Sequence, residues 1–140
     1  MKTCPEGKTG RKNPAIAVAV TGPADYNKTM SSVFTRIINR ELPARVFYET
    51  EQVIVIADHR PKAPVHLLII PKAETRDFYR TPAETLSLLD ETVKVVARKL
   101  GVEDRFRVII NNGLGQEIDH IHYHFLSDSG AARLEFLPEK

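Results

Sequence analysis

The chain predicts an α+β domain in which one short and one long helix accompany a mainly antiparallel five-stranded sheet. Three observations carry that expectation. Five runs rich in β-branched and aromatic residues stand at 45–50, 52–58, 65–72, 105–111 and 119–128. One stretch, Pro82 to Leu100, has a 3.6-residue apolar stripe instead. The element order is helix, hairpin, strand, helix, hairpin, and hairpins pair their strands antiparallel. With 140 residues, 42% of them apolar and 27% charged, the chain suits one globular domain with a sizeable core.

Residues 1–30 stand outside this pattern as an N-terminal extension, expected to be disordered because its opening is polar and rich in Gly, Pro and Lys. Its apolar run from Ala15 to Val20 is shorter than the roughly 7–15 residues of a secretory signal core. The domain is expected over 31–127 and a C-terminal tail over 128–140. In "SSVFTRIINREL", Val33, Phe34, Ile37 and Ile38 have helical spacing, and Pro43 ends the helix. "RVFYET" and "QVIVIAD" read as a hairpin. "DHRPKAP" then breaks the pattern, and the nearly all-apolar "VHLLIIPK" reads as the strand at the centre of the sheet.

Thr81, Pro82 and Glu84 spell a T-x-x-E capping box with proline at the first helical position. Leu86, Leu89, Val93, Val96 and Leu100 give the helix one face, and Gly101 is placed to stop it. "RFRVIIN" then passes through "NGLGQ" into "DHIHYHFLSD".

In that last run His120, His122 and His124 alternate with Ile121, Tyr123 and Phe125. Strand side chains alternate between faces, so the imidazoles share one face about 6.6–7 Å apart, expected to be an exposed surface or cleft. The apolar set packs beneath the long helix. One such histidine alone is an ordinary strand residue, whereas three suggest chemistry. Zinc is one reading, although the outer pair is about 13 Å apart along the strand, so at most two could share an ion with a distant ligand. Nucleophilic catalysis at phosphorus is the other: an extended phosphate chain meets a different imidazole at each position, with His122 central for attack.

Charge and cysteine usage narrow the classes. A net charge of +2 with dispersed basic residues gives no nucleic-acid footprint. The single cysteine, Cys4, makes neither an internal disulfide nor a thiolate zinc site, which favours a cytoplasmic setting. No membrane association is expected.

"HIHYHFL" resembles the signature of the histidine triad superfamily, His-φ-His-φ-His-φ-φ with φ apolar. "VFTRIINRELPARVFYET", "DHRPKAPVHLLIIPK" and "VIINNGLGQ" resemble further blocks of its nucleotide-binding, phosphoramidase-like branch, in the same order. The likeness spans about Ser32 to Leu126. It implies a hydrolase that cleaves purine nucleoside 5′-phosphoramidates at the α-phosphorus, without cofactor or metal, as a homodimer whose sheet continues into the partner. Dinucleoside polyphosphate hydrolysis, or nucleotide binding with little catalysis, is the alternative. By motif position His122 is the nucleophile, His120 orients it, and His124 contacts phosphate and leaving group. Asn111 and Gln116 fall where the family places polar residues near the phosphates, and Phe34, Ile37, Tyr48, Ile56 and Asp58 fall at nucleoside positions. Asn111 equally suits turn formation.

The departures are specific. Ala57 stands where many members carry a further active-site histidine. Glu117 replaces the hydroxyl residue that follows the family's glutamine; it repels an anionic substrate unless it faces a cationic leaving amine. Thr50 takes the place of the ribose-contacting acid. Ser32 and Thr35 match the C-x-x-C pair of many bacterial members, so no structural zinc is expected.

Overall fold

The computed structural model describes residues 32–138, and the expected N-terminal extension with Cys4 lies outside them. Helix α1 spans Val33–Ile38, followed by β1 (Val46–Glu49), β2 (Val53–Ala57), β3 (Val65–Pro71), α2 (Ala83–Leu100), β4 (Arg107–Ile110) and β5 (Tyr123–Ser127). A 3-10 turn at Ala131–Arg133 begins the tail. The five strands form one sheet in the order β1-β2-β3-β5-β4, with every neighbouring pair antiparallel. All seven residues of β3 are buried, which is why this segment reads as continuously apolar: it is the central strand and both its faces are covered.

One face carries Val55, Leu67, Ile69, Tyr123 and Phe125 against Leu89, Val93, Val96 and Leu100 of α2. The opposite face carries Ile54, Ile56, Leu68 and Ile70 and is closed by Phe34 of α1. Each fully buried leucine or isoleucine contributes about 1.5–3 kcal/mol. Gly101 ends α2 in the left-handed conformation at φ 70°, as its position in the sequence foretells.

Three local expectations are corrected. The capping box does not form: α2 begins at Ala83 with Pro82 as its cap residue and no side-chain cap. Thr81 instead donates its hydroxyl to the Asp77 carbonyl at 2.6 Å, within the preceding turn. The histidine strand begins only at Tyr123, so His120 and His122 stand on the segment leading into it. That segment is held by the Ile121 amide donating to the Thr75 carbonyl at 2.8 Å. Finally, β1 contains a bulge: Val46 faces Ile56 but Tyr48 faces Val55. The extra residue reverses the alternation and turns Tyr48 toward α2, where Lys99 Nζ lies 5.9 Å from its ring centre.

Candidate active site

The three imidazoles do share one side, but not as exposed groups. His120 is 0% and His122 8% exposed, while His124 is half-buried. The cause is α1, which lies across this face. Phe34 stands edge-on to both rings, with centroids 5.7 Å from His120 and 4.9 Å from His122. The His122 and His124 rings are 5.0 Å apart.

Hydrogen bonds fix which nitrogen of each ring carries the proton. A carbonyl oxygen only accepts, so the 2.8 Å contact of His120 Nε2 with the Pro71 carbonyl places the His120 proton on Nε2. Its Nδ1 therefore accepts, at 2.6 Å, from the Ser32 hydroxyl. By the same reasoning His122 donates Nδ1–H to the His120 carbonyl at 2.8 Å. That leaves the Nε2 of neutral His122 with its lone pair free.

His124 is fixed from the other end. The Lys62 amide donates to His66 Nδ1 at 3.0 Å. His66 must then carry its proton on Nε2, which lies 3.0 Å from His124 Nδ1. Neutral His124 consequently accepts at Nδ1 and holds its own proton on Nε2. A nucleophilic lone pair and a proton donor thus sit on adjacent rings.

Asp58, His66 and His124 also bring donor atoms within 4.8 Å of one another, the spacing a metal ion would use. The Lys62 amide argues against that use. A metal-ligating Nε2 needs its proton moved to Nδ1, and here Nδ1 is already an acceptor. Asp58 Oδ2, 3.4 Å from His66 Nε2, instead shares the relay's proton.

Burial sets the protonation states. Desolvation holds His66, His120 and His122 below the ordinary histidine range. His124 is pushed down to about 4 by burial and by the neighbouring His122 and His66. The negative charges of Asp58 and Glu117 only partly offset the burial of His122. His122 and its neighbours are accordingly neutral at pH 7.

The HIT domain family matches residues 39–130, about two thirds of the chain. The chain is 43% identical to a HIT-like protein of Chlamydia muridarum, over 70% of this chain and 82% of that one. Among solved structures it resembles a HIT family hydrolase from Clostridium thermocellum, with TM-score 0.65 and 42% identity over 69% of this chain and 89% of that one. It also resembles a zinc-bound histidine triad family protein from Mycobacterium smegmatis, with TM-score 0.66 and 33% identity over 79% and 84% of the two chains. The chain belongs to the HIT family.

Not every residue expected in this HIT site gathers there. Phe34 covers the triad and Ile56 lies in the apolar layer beneath it. Asp58 joins the His66–His124 cluster, with Oδ1 accepting from the Arg60 amide at 2.8 Å. Ile37 lines a cavity bounded by Arg40, Val46, Glu49 and Leu137. Tyr48, turned to the α2 face by the bulge, does not approach the imidazoles. Asn111 lies in the turn after β4 with its side chain over Gly115. The Gln116 amide is spent on the backbone, donating to the Arg76 and Ile118 carbonyls at 2.6 and 2.9 Å. In this rotamer it braces the loop and has no N–H left for phosphate. Glu117 is exposed at the mouth of the site.

Sequence reasoning gave no role to His66 and Glu74, and marked Ser32 and Thr35 only as the positions that match the C-x-x-C pair of other members. His66 had a signal: it is the one polar residue between Val65 and Pro71, in a strand buried throughout.

Proposed function

We propose that the protein hydrolyses purine nucleoside 5′-phosphoramidates at the α-phosphorus through a nucleotidyl-histidine intermediate. The observation that carries the proposal is the pairing of tautomers: His122 offers an unprotonated Nε2 beside a His124 whose Nε2 bears a proton. The His122 lone pair attacks phosphorus and forms a P–N bond, the bond to the amine breaks, and the amine leaves with the His124 proton. Neutral water then adds to the nucleotidyl-histidine while His124 Nε2 takes back a proton. This releases the nucleotide and restores both rings. The HIT relatives whose names include hydrolase support a hydrolytic role.

We assign the nucleoside to the cavity beside Ile37 on the motif position of that residue. Glu117 carries its charge toward His122, which suits a leaving amine with a cationic group, such as lysine. The partner is a second copy of the chain, paired along β4. A cytoplasmic setting fits the absence, among the described residues, of any helix long and apolar enough to cross a membrane.

The test is AMP release from adenosine 5′-phosphoramidate and from an AMP–lysine amide, with and without chelator. Turnover that resists chelator and falls at least about 10³-fold in His122→Ala is the expected result. Undiminished activity in that variant would remove the mechanism, and chelator sensitivity would restore the metal reading. Glu117→Gln should lower the preference for the lysine substrate and leave the simple amide unaffected.

A further inference from the structure

Ser32, Thr35 and Glu74 lie outside the reacting groups but lead directly to them. Ser32 caps α1, its Oγ accepting from the Thr35 amide at 3.0 Å. A serine hydroxyl has one proton, and the 2.6 Å contact with His120 Nδ1 uses it. Thr35 donates its own hydroxyl to Glu74 Oε1, and the Ser32 amide reaches the same oxygen at 3.3 Å. Glu74 therefore takes two donors from the start of α1. The next residue, Thr75, holds the Ile121 amide.

The consequence lies in His120. Its ring is 0% exposed, and both nitrogens are occupied, one by Ser32 and the other by the Pro71 carbonyl. With the ring unable to turn, its backbone carbonyl is held as the acceptor for His122 Nδ1–H. We propose that Ser32, Thr35 and Glu74 are positioning residues, a hydrogen-bonded clamp that fixes His120 and, through its carbonyl, the tautomer of His122. The clamp deepens the reading of the site as phosphoramidate chemistry and rests on it only for its kinetic effect. The four residues come from α1, the β3–α2 connection and the approach to β5, so the nucleophile's aim depends on how these three segments dock.

The test reads the His122 imidazole directly by nitrogen NMR and, in parallel, turnover of adenosine 5′-phosphoramidate and affinity for AMP. In the wild type His122 should be a single Nδ1–H tautomer. Ser32→Ala and Glu74→Ala should mix the tautomers and lower kcat about tenfold, with AMP affinity within about twofold. Ser32→Thr keeps the hydroxyl and should restore both. Should Ser32→Ala fail to fold, Thr35→Val, which loses only the link to Glu74, reads the same shift more weakly. An unchanged His122 tautomer and kcat in the folded variants would overturn the clamp. Failure of the functional reading looks different: the wild type would turn over no phosphoramidate, while the tautomer would still respond to Ser32→Ala.

Discussion

At the residue scale the proposed mechanism needs a proton on one particular nitrogen of His124, and the contact with His66 favours that nitrogen. His66→Leu removes the Nε2–H donor and leaves His124 Nδ1 without it. His124 is then free to carry its proton on Nδ1, toward the protein, and loses its role as an acid. Proton donation of this kind is worth about 10²–10⁴-fold. The variant should accordingly lose about 10²-fold in kcat with a poor amine leaving group. It should lose far less with a leaving group that departs without protonation. A ratio of the two rates matching the wild type would show that His66 has no such role. The triad itself was legible from alternation alone, because a period of two leaves its mark in adjacent residues. Its supports were not: Ser32 and His120 are 88 residues apart, His66 and His124 are 58 apart, and no local pattern records such pairings.

At the element scale, strands and helices were read correctly where period and burial agree, as in β3 and α2, and misread where the backbone departs from the regular pattern. Thr81 has the right spacing to cap α2, but the helix starts one residue later, with Pro82 at the cap position, so the Thr81 hydroxyl faces the preceding turn and donates to the Asp77 carbonyl. Tyr48 was placed at the nucleoside by motif position, and the single extra residue of the β1 bulge turns it to the α2 face instead. The edge of the sheet was not legible as an edge, because β4 reads as apolar as an inner strand. Among the described residues it pairs only with β5, and Ile109 and Ile110 are each 37% exposed and Phe106 38%. An open edge bearing apolar side chains is a template for pairing with another chain. If a second copy pairs there, Ile110→Lys places like charges at the seam and should yield monomers in sedimentation velocity at micromolar concentration. An unaltered dimer in that variant would move the interface elsewhere, and a monomeric wild type would remove it.

At the scale of the whole molecule, a group of neutral, largely buried imidazoles links function to acid stability. His66, His120, His122 and His124 all resist protonation in the folded chain, chiefly because burial disfavours the charged form. In the unfolded chain each titrates near the ordinary value of about 6.5. A lowered folded pKa means that the unfolded state binds more protons between the two values, so stability is complete above about 6.5 and declines as pH falls. For His124 the decline continues to about 4. The paired carboxylates contribute lower on the scale. Arg105 holds Asp128 down to about 2. For Glu49, contacts with Lys72 and Arg40 outweigh the burial that would raise it. Between pH 6 and 4.5 the loss should thus be dominated by the histidines, each worth up to about 1.4 kcal/mol per pH unit. Urea unfolding across this range should give a wild-type slope that His124→Gln, which has no proton to gain, makes shallower by about one histidine's share. Parallel slopes would mean that His124 titrates in the folded chain at its ordinary value, so that burial and the neighbouring His122 and His66 do not disfavour its charged form. The tight packing of neutral rings from which the proton relay is drawn would fail with it.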